Sequence, residues 1–226
     1  MSSSLPQPPF QGSSQAPSQA SNELAYRART EAILTFWFGA PDSKAFGQYR
    51  KQWFLKNDEF DRQIRQRFIT DIEKAASGDY DHWQSSAHSS AESAMALLLL
   101  LDQFPRNVYR GSPQSFATDG KASQVASYLV DTGLDQTMPP VYRFFVYVPF
   151  EHQEAIASQN RAVALMSALV NTTPNLDEGL KNGLDFAIRH RDVIKRFGRF
   201  PHRNEILGRP STAEEAAFLQ QPGSRF

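Results

Sequence analysis

The run Ala94–Leu101 (Ala-Met-Ala-Leu-Leu-Leu-Leu-Leu) constrains this chain more than any other stretch. It offers no polar side at any helical register, so a helix built from it must be enclosed on every face. It is far short of the roughly 20 apolar residues that span a bilayer. A central helix buried in a soluble domain satisfies both conditions, opened by Ser89 or Ser90. The 226 residues suffice to surround it with one sizeable core.

The flanking segments have the matching period. Asn22 can cap a helix carrying Leu24, Ala28, Ala32 and Phe36, closed by Gly39 and Pro41. Phe60, Ile64, Phe68 and Ile72 recur every four residues after Asn57 or Asp58, and Gly78 ends that segment. Ser112-Pro113 reads as a cap with a first-turn proline, beginning a helical stretch to about Asp131. Val141–Val148 permits a strand by alternation, but lacks an obvious strand partner and is assigned to a helix. Pro149 is expected to break the chain before a helix over 151–170. A further helix spans 177–197, with Gly198 as its left-handed terminator, and Ser211 with Glu214 forms a capping box before the last one. The expectation is all-α: about seven helices in antiparallel pairs, stacked as a solenoid-like layer.

Residues 1–21 are Ser, Pro, Gln, Gly and Ala with little to bury, and read as a disordered tail ahead of one helical domain over 22–226. A polyproline ligand at Pro6–Pro9 is the functional alternative for that tail. No targeting segment is visible, and the chain has no cysteine. That composition excludes disulfides, thiolate chemistry and cysteine-held metal, and suggests the reducing cytoplasm. Twenty-four basic against 24 acidic residues argue against general nucleic-acid or anionic-membrane binding.

Polar clusters mark the candidate chemistry. Asp102, Gln103, Arg106 and Asn107 directly follow the buried helix. They either satisfy its last carbonyls or line a pocket mouth. Glu151 and His152 follow Pro149, with Glu154 nearby. Either the carboxylates favour a helix N-terminus, or His152 with Glu151 moves a proton. The spacing lacks the helical two-histidine zinc signature, so no metal ligand is assigned. Arg189–Arg209 holds seven Lys/Arg against Asp192 and Glu205, with His190 and His202 interleaved. Arg199, Arg203 and Arg209 there suit a carboxylate or phosphate, aided by His190 and Asn204, with His202 as a further proton carrier. Phe104-Pro105-Arg106-Asn107 is echoed by Phe200-Pro201-His202-Arg203-Asn204, either an old duplication or similar helix-ending chemistry used twice. No phosphate-binding glycine loop, dinucleotide fingerprint or nucleophile elbow is present. His82 and His88 receive no role.

Several strings are more specific: Ile33–Gly39 (Ile-Leu-Thr-Phe-Trp-Phe-Gly), Leu100–Gly111, Phe116–Asp119, Val148–His152 and Arg196–Asn204, with Leu207–Arg209 and Ser211-Thr212. In this order, from about Ala28 to the C-terminus, the chain resembles the family called domain of unknown function 924. The resemblance implies an all-helical fold similar to tetratricopeptide-repeat domains and no function. Its motif positions are Asp102, Gln103, Arg106, Asn107, Asp119, Glu151, His152, His190, Arg196, Arg199, His202, Arg203, Asn204 and Arg209.

Three readings follow. The first is a pocket at the helix ends that binds or transforms a small anionic metabolite, with no cofactor specified. The second is a peptide- or protein-binding helical scaffold without catalysis. The third is a purely structural set of Arg–carboxylate pairs. Whether the chain is an enzyme stays open at this level.

Overall fold

The computed structural model describes residues 19–85 and 90–224. Among them there is no strand. Residues 1–18 of the tail expected over 1–21, and His88, lie outside the described residues. Seven helices of eleven residues or more form the body: α1 (Gln19–Phe38), α2 (Asp58–Ser77), α4 (Ala91–Leu101), α6 (Asp119–Asp131), α7 (Pro140–Glu151), α8 (Ile156–Thr172) and α10 (Gly183–Phe197). Short segments α3 (His82–Ser85), α5 (Gln103–Val108), α9 (Glu178–Lys181) and α11 (Ala213–Phe218) join or close them.

Helix α4 is the centre. Ser90 and Ser93 form its capping box, and Ala94 through Leu100 have no exposed surface. It packs on α1, α2, α6 and α7. In a solenoid each unit touches only its chain neighbours. Here α4 gathers four long helices, while α8 packs on its chain neighbour α7 and on α10, so the all-α expectation is met without showing a regular tetratricopeptide-like layer. Helix α2 behaves as its period requires: Asn57 Oδ1 accepts from Phe60 N at 3.0 Å, Phe60, Ile64, Phe68 and Ile72 are buried, and Gly78 ends it at φ 98°.

Several local expectations are corrected. Helix α1 already begins at Gln19, so Asn22 lies inside it. After Ser112 comes only a 3₁₀ turn, Pro113–Ser115, and the helix proper starts at Asp119. Pro149 sits inside α7, whose end is Glu151. Glu151 is therefore at a helix C-terminus, not in a first turn. Gln159 Nε2 donates to the carbonyls of Glu151 (2.6 Å) and Gln153 (2.7 Å), closing the turn between α7 and α8. The span 177–197 divides at Asn182-Gly183, where a Cβ on Gly183 would stand 2.2 Å from the Phe144 ring. The last capping box is Thr212 with Glu215, one residue later than expected. Both registers fit the Ser/Thr-x-x-Glu pattern, and the choice goes to the Glu that also meets Arg199.

Candidate functional site

A cavity of about 660 Å³ opens where α5, the end of α7, the start of α10 and the 3₁₀ turn Pro201–Arg203 meet. Three distant stretches supply its polar lining: Gln103, Arg106 and Asn107; Glu151 and His152; and His202 with Arg203. His190 joins them from α10. It lies on that helix's buried face with Ala187 and Ile194, which is why its ring points inward.

The floor is organised by two carboxylates. Asp102, fully buried at the junction of α4 and α5, accepts from His152 Nδ1 at 2.7 Å and from Gln103 Nε2 at 2.6 Å. Burial alone would raise its pKa, but Arg106 and His152 outweigh it and hold the carboxyl at about 2. Asp119 is shared by two guanidinium groups: Arg106 Nη2 stands 2.9 Å from Oδ1 and Arg203 Nη1 3.2 Å from Oδ2. Arg203 also donates to the His152 carbonyl at 3.1 Å. Burial, with Arg106 close by, lowers its pKa to about 10.

The neighbouring groups are held neutral. Burial, then the Asp102 charge, pushes the Glu151 carboxyl well above its ordinary range. Its Oε1 has no hydrogen-bond partner among the described residues. His190 donates from Nδ1 to the Phe186 carbonyl at 2.8 Å, and burial drives its pKa down to about 3. His152 is lowered too, by burial and then by Arg106, against the pull of Asp102. With Nδ1–H given to Asp102, its basic lone pair is on Nε2. The result is a positioned imidazole and a carboxyl adjacent in sequence, both on the cavity wall and both shifted toward their neutral forms.

Other sequence candidates are elsewhere. Asp102 stands behind His152 and does not line the cavity. Arg199 forks onto Glu215 at 2.7 and 2.8 Å, and Arg209 forks onto Glu154 at 2.6 and 2.9 Å. Asn204, fully buried, donates to Ser211 Oγ and Glu215 while accepting from Arg209 Nε. Of these three residues, expected to hold ligand, Arg199 and Asn204 tie the segment 199–215 to itself, and Arg209 fastens it to Glu154 in the turn after α7. Arg106 combines its two alternatives: Nη1 donates to the Asp102 carbonyl at 2.8 Å, and the side chain lines the cavity.

Sequence reasoning missed the opposite wall. Tyr49, Trp53, Phe54, Phe144 and Phe186 form it, and Gly179 and Gly183 let it close: a Cβ on Gly179 would lie 2.4 Å from the Tyr49 ring. No motif announced this, because the aromatics belong to separate core-like stretches. Among the described residues no set of three or more His, Asp or Glu could hold a metal ion, and no helix is long and apolar enough to cross a membrane.

The family model described as "Bacterial protein of unknown function (DUF924)" matches residues 33–223. No curated protein matches. A solved structure from Agrobacterium tumefaciens, the protein of unknown function ATU0120, is 40% identical, with a TM-score of 0.71, and the match covers 86% of this chain and 98% of that one. The breadth of the family match places the motif strings of both cavity arginines and the Glu-His pair within it, and the chain belongs to the DUF924 family of bacterial proteins.

Proposed function

We propose that the cavity is a small-molecule site for proton-transfer chemistry. His152 serves as general base through Nε2, and protonated Glu151 serves as hydrogen-bond donor and acid. In that role His152 takes a proton from the substrate, while Glu151 stabilises the oxygen on which negative charge develops. Asp102 is a positioning residue: it fixes the His152 ring and tautomer and touches no ligand. The observation that carries the reading is the fully buried Asp102 carboxylate 2.7 Å from His152 Nδ1, beside a buried carboxyl whose Oε1 no described residue satisfies. Neutral acids and bases with separated titrations are the usual mark of acid–base sites.

The anionic ligand expected from sequence is not retained in this reading. Two of its four arginines are tied to Glu215 and Glu154, and the other two share Asp119. The scaffold alternative requires a groove lined by helix middles, whereas this cavity is lined mainly by helix ends and links.

The test is an NMR screen, read on the histidine ring signals, of small amides, ketones, esters, carboxylates and phosphates on the wild type and on His152→Gln. Hits that shift the His152 ring signals and weaken in the variant, with unchanged melting temperature, support the reading. Hits that are confined to carboxylates and phosphates, or indifferent to His152, overturn it.

A further inference from the structure

The rim of the cavity differs in character from its floor. Seven large hydrophobic side chains are exposed among the described residues, and three of them, Phe54 (45%), Leu55 (60%) and Phe186 (47%), line this one opening. Exposed apolar groups scattered singly need no explanation, but a cluster continuous with a cavity does. The wall inward from this rim is Phe144, with Tyr49 and Trp53. Its shape depends on two positions where no side chain fits, Gly179 and Gly183.

The floor is polar yet balanced. The guanidinium groups of Arg106 and Arg203 face the carboxylates of Asp102 and Asp119, so two positive charges meet two negative ones. A ligand bearing its own charge would have to be desolvated with no opposite charge left over for it, which is costly. Hydrogen-bonding capacity, by contrast, is left over. Arg106 Nη2 and Arg203 Nε, like Glu151 Oε1, are buried atoms without a hydrogen-bond partner among the described residues. At 2.9 Å, Arg106 Nη2 is an ion-pair neighbour of Asp119, but the contact does not meet hydrogen-bond geometry. Two unspent donors and a carboxyl suit a carbonyl-type head group. The volume is that of an ordinary metabolite site.

We infer that the cavity takes an uncharged amphiphile, with a carbonyl-bearing head (amide, ester or ketone) at Glu151 and His152 and an apolar chain or ring running out along Phe144 to Phe54, Leu55 and Phe186. This rests on the small-molecule reading above and adds the substrate class to it.

Calorimetric titration of the full chain with a matched probe series tests the inference: acetamide, butanamide, hexanamide and octanamide, then octanoate and octylammonium. Affinity is expected to rise about fourfold per methylene added to the amide. The charged octyl probes are expected to bind more weakly than octanamide by about tenfold or more. Phe186→Ser and Leu55→Ser, both at exposed positions, are expected to flatten the chain-length series while leaving the amide-over-carboxylate preference in place. Amides that bind with no chain-length dependence, or octyl probes that bind equally whatever their head group, overturn the amphiphile inference and leave the site reading standing. Octanoate binding tightest overturns the uncharged head. If no probe in the series binds, both the inference and the small-molecule reading fail.

Discussion

The two Phe-Pro turns of this molecule carry nearly the same residues on different foundations. Phe104-Pro105-Arg106-Asn107 lies in α5, directly beneath the fully buried α4, whereas Phe200-Pro201-His202-Arg203-Asn204 includes a 3₁₀ turn on a C-terminal strap. Each Phe is completely buried, and each Arg reaches Asp119. The first turn is held by the main apolar core. The second packs on a small separate cluster, Val193, Ile194 and Phe200 with Phe197 and Phe218, and is fastened by Glu154 and Glu215. One wall of the cavity is thus built into the core while the other is pinned by charge. The difference teaches that similar site chemistry can be delivered by apolar packing or by ion pairs, and the two should fail under different perturbations.

The carboxylate common to both turns should show the largest effect. Asp119→Ala leaves the buried Arg203 guanidinium without its carboxylate and takes one of two from Arg106, and is expected to cost about 3–5 kcal/mol in denaturant unfolding. A loss below about 1 kcal/mol would mean that the two turns do not depend on it. Leu98→Ala strikes the core half alone, at about 2–5 kcal/mol, and should lower amide protection in α4 and α5 together. Glu154→Ala strikes the strap alone. Glu154 accepts from Phe200 N at 2.8 Å and from Arg209, but both side chains are a quarter exposed, so about 1–2 kcal/mol is expected. Hydrogen exchange should then quicken over 199–215 while α4 stays protected; equal quickening in both would dissolve the contrast.

At neutral pH the smallest expected effect is that of His190, which grows only as the solution is acidified. His190 titrates near 3 when folded, against about 6.5 when unfolded. As pH falls from about 6.5 toward 3, the unfolded chain takes up a proton that the native state refuses, and stability drops. The slope is at most about 1.4 kcal/mol per pH unit, and above about 6.5 the term vanishes. His190→Gln should remove that acid-side slope, as read from melting temperatures at several pH values. An unchanged slope would show that the ring is not buried as a neutral group.

Much of the fold was legible because burial leaves a periodic trace: the all-apolar run of α4, the four-residue stripe of α2 and the αL glycines after α2 and α10 are local signals. Candidate site residues were legible as polar groups at helix ends, where buried chains must find partners. What they did once folded was not. Arg209 and Arg106 look alike in sequence, yet one is spoken for by Glu154, 55 residues earlier, and the other lines the cavity. No local pattern encodes such a pairing. The aromatic wall was invisible for the same reason, since Tyr49, Phe144 and Phe186 meet only through the contacts that two glycines permit. The short links did not tell that α1, α2, α6 and α7 all meet α4, while α8 packs on α7 and α10.

The proposed chemistry depends most directly on the protonation of the Glu151–His152 pair. Long-range ¹H–¹⁵N correlation of the histidine rings at neutral pH, assigned with His152→Gln and repeated on Asp102→Asn, reads the tautomer itself. A neutral His152 carrying its proton on Nδ1 is expected in the wild type, with that preference lost in Asp102→Asn. A His152 that is cationic at neutral pH, or that carries its only proton on Nε2, would contradict that chemistry.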